Sequence, residues 1–117
     1  MLVPYKSMNQ KIAMGLLSFM PKEKDVKKLQ KTIERYENDI DWKLYLWKEE
    51  DFVGVIGISI ESGEALLQHV CVNPSHRREG IGKKMLRELM KTLPCDLKPT
   101  KETKRFLRTC VKEEESL

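Results

Sequence analysis

One stretch in the second half of the chain decides the fold, and it reads Val70-Cys71-Val72-Asn73-Pro74-Ser75-His76-Arg77-Arg78-Glu79-Gly80-Ile81-Gly82-Lys83-Lys84. An apolar strand stops at Asn73-Pro74, because proline donates no N–H to a β-ladder and asparagine favours turns. Two arginines and two glycines follow, and then apolar residues at helical spacing: Ile81, Met85, Leu86, Leu89 and Leu93. The stretch therefore predicts a helix N-terminus in a glycine-rich loop beside cations. Such a site binds phosphate, and here a pyrophosphate.

The spacing of the glycines distinguishes this loop from two common phosphate-binding loops. A dinucleotide-binding fingerprint needs a glycine three residues after Gly82, where this chain has Met85. A P-loop needs a glycine five residues before Gly82 and Ser or Thr two residues after it, where the chain has Arg77 and Lys84. The pattern that fits is Arg-x-x-Gly-x-Gly, with Gly80 as its first glycine.

This pattern resembles the signature of the GNAT family, the acetyl-CoA-dependent N-acyltransferases. The longer family signature is a hydrophobic-x-Val strand end and then x-Pro-x-x-Arg-x-x-Gly-x-Gly, and it matches from Val70 to Gly82 without a gap. The resemblance implies that the protein binds acetyl-CoA and transfers the acetyl group by direct attack of a primary amine, which the sequence does not identify. It assigns the cofactor to Val70, Cys71, Val72, Arg77, Arg78, Glu79, Gly80, Ile81, Gly82 and Lys83.

Length and composition predict one domain in the cytoplasm. We expect residues 1–112 of the 117 to form it, followed by an acidic tail at 113–117. No run of about 18 apolar residues exists, so no membrane span is expected. Cys71, Cys95 and Cys110 are odd in number and lack metal-ligand spacing, which favours reduced thiols and no metal site.

The charge pattern argues against a nucleic-acid-binding protein. The net charge of +4 is modest. The densest basic stretch, Lys22 to Lys31, is interleaved with Glu23 and Asp25, so a solvated helix face is the favoured interpretation.

Hydrophobic periodicity predicts alternating strands and helices along the chain. The predicted strands are Leu2–Lys6, Trp42–Trp47, Phe52–Ile60, Ala65–Val72 and Cys95–Lys98, and the predicted helices are Lys11–Met20, Lys22–Glu37, a helix that follows the glycine loop and runs to about Thr92, and Lys101–Lys112. This order resembles the compact GNAT fold of the α/β class, a mixed and mostly antiparallel sheet flanked by helices. The family's two further C-terminal strands are missing. We expect an open sheet edge, which favours a homodimer.

The general base that deprotonates the amine is open at this point. Side chains alternate along a strand, so Glu64, Leu66 and Gln68 are predicted to share the face on which the resemblance places a base. Glu64 is the candidate for direct action, and Gln68 for orienting a water molecule. His69 is predicted on the opposite face as a packed, hydrogen-bonded histidine, unless a local bulge reverses the alternation.

The sequence does not identify the general acid either, so alternative functions stay open. Aligning the last helix with the family pattern Asn-x-x-Ala-x-x-Phe-Tyr places Thr100 at the asparagine, Thr103 at the alanine and Leu107 at the tyrosine that protonates the leaving thiolate. An alternative function is therefore a CoA-binding regulatory or assembly module without turnover. A third and weaker one is nucleic-acid binding.

The aromatic residues of the second strand are candidates for the acceptor site. By the resemblance, Trp42, Tyr45 and Trp47 can line a pocket for the amine. Ordinary strand packing is the favoured interpretation for at least two of the three.

Overall fold

In the computed structural model, which describes residues 1–20, 23, 25–77 and 79–115, the chain forms five strands and four α-helices. The strands are β1 (Leu2–Pro4), β2 (Trp42–Lys48), β3 (Phe52–Glu61), β4 (Glu64–Val72) and β5 (Leu97–Pro99). The helices are α1 (Gln10–Leu17), α2 (Val26–Asn38), α3 (Ile81–Thr92) and α4 (Lys104–Glu115). No helix in these ranges is both long and apolar enough to cross a bilayer.

The five strands form one sheet in the order β1-β2-β3-β4-β5. The first four pair antiparallel, whereas β4 and β5 pair in parallel over Ala65–Leu67 and Leu97–Pro99. The predicted fold class, a mixed and mostly antiparallel sheet flanked by helices, is confirmed.

The sheet separates two hydrophobic clusters. Helices α1 and α2 pack on one face, where Leu17 and Ile33 meet Val55 of β3. Helices α3 and α4 pack on the other face, where Met85 and Cys110 meet Ile56 of β3 and Leu67 of β4. The residues that the sequence assigns to the cofactor lie at the end of β4 and the start of α3.

Several element boundaries differ from the predicted ones. Helix α2 begins at Val26, because the Asp25 side chain caps it by accepting a hydrogen bond from the Lys27 amide at 2.8 Å. The predicted start, Lys22, lies outside the described residues. Helix α4 begins three residues later than predicted, and its backbone continues to Glu115, into the predicted acidic tail.

A bulge in β4 overturns the predicted alternation of its side chains. Gly57 of β3 pairs with His69, but the next residue, Ile58, pairs with Leu67, so Gln68 is an extra residue in the strand. His69 therefore hydrogen bonds to Tyr36 of α2, whereas Leu67 packs with α3. The prediction that His69 lies opposite the Glu64 and Leu66 face was wrong, because the alternation reverses at Gln68.

Candidate active site

A cavity of about 580 Å³ lies where the end of β4 meets the start of α3. Phe106 and Thr109 of α4 and Phe19 after α1 form part of its wall. Of the ten residues assigned to the cofactor from the sequence, eight line this cavity: Val70, Cys71, Val72, Arg77, Gly80, Ile81, Gly82 and Lys83. Glu79 is not among the lining residues, and Arg78 lies outside the described residues.

The cavity exists because β5 leaves β4 after Leu67. Pairing between the two strands ends at Leu67 and Pro99, and proline has no N–H to continue it. The Leu67 carbonyl instead accepts hydrogen bonds from the Thr103 hydroxyl at 2.8 Å and the Thr100 hydroxyl at 3.1 Å. These two threonines hold the start of α4 against β4, so the edge of residues 70–72 borders the cavity.

The start of α3 has the geometry of an anion site. Gly80 caps the helix in the left-handed conformation, with φ of 76°, which a non-glycine residue adopts only with strain. The Ile81 and Gly82 amides have no helical carbonyl four residues earlier to accept their N–H groups. These N–H groups and the positive end of the helix dipole favour a phosphate here.

Gly82 also has a structural role that the sequence did not reveal. A Cβ atom at this position would lie 2.9 Å from the Phe106 ring, which is closer than side chains approach one another. The glycine therefore lets α4 pack against the first turn of α3, and Phe106 closes the cavity on that side.

The loop before α3 presents an exposed cation to the cavity. Arg77 lines it, while His76 Nδ1 lies 3.4 Å from a Glu79 carboxylate oxygen. The Glu79 side chain is thus directed to His76, and any contact of Glu79 with a phosphate would come from its backbone.

A second cavity, of about 380 Å³, lies between β4 and α2. Gln68 and His69 line it, directly before the residues of β4 that line the first cavity. Met20 and Glu102 line both cavities, so the two are contiguous.

Of the three aromatic residues of β2, Trp42 alone belongs to this second cavity. Its ring lies under the Arg35 guanidinium, whose central carbon is 3.9 Å from the ring centroid. Trp47 is buried on the α3 side of the sheet, and Tyr45 packs there as well. Strand packing for two of the three is confirmed.

A buried hydrogen-bond network forms one wall of the second cavity. His69 Nε2 lies 3.1 Å from Glu23 Oε1, and its Nδ1 lies 2.5 Å from the Tyr36 hydroxyl. The Thr32 hydroxyl donates to Glu23 Oε2 at 3.0 Å. Glu23, Tyr36 and His69 are all buried.

The protonation of this network follows from its surroundings. Burial, and then the charge of Glu23, raise the pKa of Tyr36 well above its usual value, so the phenol keeps its proton and donates it to His69 Nδ1. Because Nδ1 accepts this hydrogen bond, His69 donates from Nε2 to Glu23 Oε1. Burial alone would raise the pKa of Glu23, but the hydrogen bonds from His69 and Thr32 and the positive charge of Lys28 lower it overall. Glu23 is therefore a carboxylate at neutral pH.

Gly57 of β3 makes the contact between Tyr36 and His69 possible. A Cβ atom at position 57 would overlap the Tyr36 hydroxyl. The glycine thus gives the phenol room beside the sheet.

The two base candidates from the sequence lie in different places. Gln68 lines the second cavity, where its amide nitrogen donates to the Ser59 hydroxyl at 3.0 Å. Glu64 is exposed at the hairpin between β3 and β4, opposite Glu61, and is not among the residues that line either cavity. The structure therefore does not bring Glu64 together with the cofactor residues.

Cys71 and Leu107 also have defined places in the structure. Burial raises the pKa of the Cys71 thiol to about 12, so its thiolate is scarce at neutral pH. Leu107 packs in the hydrophobic cluster under α3 and α4 and is not among the residues that line the first cavity, whereas its neighbour Phe106 is.

Sequence reasoning missed Glu23, Thr32 and Tyr36. Glu23 stood in a stretch interpreted as a solvated helix face, and Tyr36 looked like an ordinary core position of α2. A bulge signal at Gln68 would have placed His69 on the α2 face and revealed the network, but nothing in the local sequence marks the bulge.

Comparison with known proteins places this site in a family. The sequence profile described as "Acetyltransferase (GNAT) family" matches residues 14–101, which include the network, β4 and the start of α3. The chain belongs to the GNAT acetyltransferase family. Its members are N-acetyltransferases that take the acetyl group from acetyl-CoA, so the expected enzyme class and cofactor are confirmed.

Individual relatives agree with this family. An uncharacterized N-acetyltransferase of Bacillus methanolicus, from the lysA 3′ region, is 50% identical over 113 residues, which are 94% of this chain and 94% of that protein. Among solved structures, the aminoglycoside acetyltransferase AAC(6′)-Iy with a bisubstrate analogue has a TM-score of 0.78 at 12% identity, over 97% of this chain and 87% of that one. An acetyltransferase-like protein of Clostridium difficile has a TM-score of 0.78 at 14% identity, over 100% and 89%. These structures establish a shared fold.

Proposed function

We propose that this GNAT protein binds acetyl-CoA in the larger cavity and transfers its acetyl group to a primary amine in the smaller one. The observation that carries the proposal is the continuity of the two cavities along β4. Gln68 and His69 line one cavity, and Val70, Cys71 and Val72 line the other. A thioester held along the second group brings its carbonyl next to an amine held by the first.

The cofactor is held mainly by backbone groups. The pantetheine arm bonds to the main chain of Val70, Cys71 and Val72, at the edge that β5 leaves unpaired. The pyrophosphate accepts N–H groups from Gly80 to Lys83, and the Arg77 guanidinium adds a charge-assisted contact. Glu79 contributes its backbone, and Arg78 belongs to the same proposal on the strength of the sequence signature.

The reaction is a direct transfer without a covalent enzyme intermediate. The amine nitrogen attacks the thioester carbonyl, the new C–N bond forms, and the C–S bond breaks to release the CoA thiolate. The raised pKa of Cys71 supports this route, because a protonated thiol is a poor nucleophile. The proton lost by the amine goes to the enzyme, and the thiolate later takes a proton from solvent.

Glu23 is the proposed base. In the described part of the network, Glu23 and Tyr36 occupy both imidazole nitrogens of His69, so the imidazole has no lone pair left for a substrate. Glu23 Oε1 accepts from His69 and Oε2 accepts from Thr32, and a carboxylate oxygen has a further lone pair, so Glu23 can also accept from a substrate ammonium. His69 and Thr32 hold it in position. Gln68 orients the amine or a water molecule beside it.

The finer context of the enzyme is also part of the proposal. Cysteine usage supports a cytoplasmic location, and the edge position of β5 supports a homodimer. The whole chain resembles the small acetyltransferase-like protein encoded beside riboflavin-synthesis genes in bacilli, which supports a link to that pathway.

Calorimetric titration of the purified chain with acetyl-CoA tests the cofactor half of the proposal. We expect saturable binding at one site per chain, and competition by CoA. A titration that shows no binding would overturn the proposed function.

A further inference from the structure

The α2 side of the smaller cavity carries three cationic side chains. Lys28, Lys31 and Arg35 all line it. Their spacing of three and four residues places them on one face of the helix. A cavity that received a simple polycationic amine would not be built with three positive charges on one wall, because like charges repel.

The carboxylate of Glu23 lies close to these cations. It accepts a hydrogen bond from Thr32, which is one residue after Lys31 and four residues after Lys28. Residues four apart on a helix have Cβ atoms about 5–6 Å apart. The smaller cavity therefore presents a negative group and a positive group within about one helical turn of each other.

The guanidinium of Arg35 is positioned to bind a planar anion. Its guanidinium stacks on Trp42, with 3.9 Å from the central carbon to the ring centroid, while about half of the side chain remains exposed. Its Nε lies 3.9 Å from an Asp39 oxygen, which is longer than a hydrogen bond. A stacked guanidinium presents its N–H edge to a carboxylate or a phosphate in fixed geometry.

We propose that the acceptor is a small zwitterionic amine, bound with its ammonium group on Glu23 and its carboxylate or phosphate on Lys28, Lys31 and Arg35. This inference rests on the proposed function. The short separation of the two charged sites and the cavity volume of about 380 Å³ select an amine whose anion is only a few bonds from the nitrogen. Amino acids and aminoalkyl phosphates both have this chemistry.

Matched pairs of amines test the inference and separate its two sources of anion. The pairs are amino acids against their amides, and phosphoethanolamine against ethanolamine, with CoA thiol release followed at saturating acetyl-CoA. We expect kcat/KM at least about tenfold higher for the anionic member of one pair, as one well-placed charge-assisted contact provides. The pair that shows the difference identifies carboxylate or phosphate.

Substitutions in α2 test whether its cationic side chains cause the preference for the anionic amine. Lys31→Gln is expected to lower kcat/KM for the anionic amine about tenfold and to leave its neutral partner unchanged. Lys27→Gln is the matched control, because Lys27 is exposed on the same helix and is not among the lining residues.

Two results would overturn the inference. Equal kcat/KM for both members of every pair, or equal effects of Lys31→Gln and Lys27→Gln, would do so while leaving the proposed acetyl transfer intact. The absence of thiol release with every amine would overturn the proposed transfer together with the inference.

Discussion

Glu23 and His69 are 46 residues apart in the chain and 3.1 Å apart in the fold. Their contact determines which groups of the network donate and accept protons. His69 is hydrogen-bonded to both the Tyr36 phenol and the Glu23 carboxylate. This carboxylate lines the smaller cavity and can accept a further hydrogen bond. In the proposed reaction, Glu23 is the base at the residue scale, with His69, Tyr36 and Thr32 as positioning residues.

Glu23→Gln tests this assignment. The amide keeps the size of the side chain and loses the charge and the basicity, so we expect kcat to fall by about 10²–10⁴-fold, the usual value of general base catalysis. Acetyl-CoA affinity should stay unchanged, because the described cofactor cavity does not include Glu23. Thiol-release kinetics and calorimetry measure the two quantities.

The control for this variant is Glu34→Gln, an exposed carboxylate of α2 that does not line the amine cavity. It should retain wild-type kcat. Equal activity of Glu23→Gln and Glu34→Gln would remove Glu23 from the reaction.

Tyr36→Phe tests the buried hydrogen bond to His69. Its loss leaves a buried imidazole nitrogen without a donor, which costs about 1–3 kcal/mol in the free energy of unfolding. Tyr5→Phe is the matched control, because the Tyr5 hydroxyl donates at 2.9 Å to Glu37 at an exposed position, where water can replace it. Urea unfolding should show a clear loss for Tyr36→Phe and a change within about 0.5 kcal/mol for Tyr5→Phe. Similar values for the two variants would contradict the buried network.

At the scale of elements, the loop between β4 and α3 could be predicted from the sequence because its signals are local. Gly80 needs its left-handed conformation, Pro74 ends a strand, and apolar spacing starts a helix, all within a few residues. In the structure, Gly80 and Ile81 line one cavity together with the end of β4.

The other half of the site could not be predicted, for two physical reasons. The bulge at Gln68 reverses the direction of His69, and it coincides with long-range hydrogen bonds from Thr100 and Thr103 to the Leu67 carbonyl. The Glu23 contact brings the segment before α2 to β4 through tertiary packing. Neither feature has a local sequence signal.

Gly82→Ala tests how α3 and α4 meet at the cofactor cavity. The added Cβ would lie 2.9 Å from the Phe106 ring and force this ring, which lines the cavity, to shift, so we expect acetyl-CoA affinity to fall roughly tenfold, about 1.4 kcal/mol. The matched control is Gly15→Ala in α1, where a Cβ meets nothing within 4 Å. That variant should gain about 0.5–1 kcal/mol of stability and bind acetyl-CoA normally. Unchanged affinity in Gly82→Ala would contradict the close packing at this position.

Arg77→Ala tests the charge of the loop. Because its partner is a phosphate, the variant should lose roughly tenfold or more in affinity for CoA and little for pantetheine, which lacks the pyrophosphate. Arg87→Ala, an exposed position of α3 outside the cofactor cavity, serves as the control. Equal losses for both ligands, measured by calorimetry, would mean that Arg77 acts through folding.

At the scale of the whole molecule, the sheet organises the reaction. Helices α1 and α2 cover one face, and residues of α2 line the smaller cavity, for which we propose the amine; α3 and α4 cover the other face and, with the end of β4, line the larger cavity, for which we propose the cofactor. Strand β4 passes from one cavity to the next, so in the proposed reaction the acetyl donor and the amine would meet at consecutive residues of this strand.

Acetyl transfer to an amine is tested most directly by mass spectrometry of the products. The purified full chain is incubated with acetyl-CoA labelled in its acetyl group and a pool of small primary amines that includes amino acids and aminoalkyl phosphates. We predict a labelled N-acetyl amine, formed in an amount equal to the CoA thiol released. Binding of acetyl-CoA without any labelled amine would contradict transfer at the junction of the two cavities.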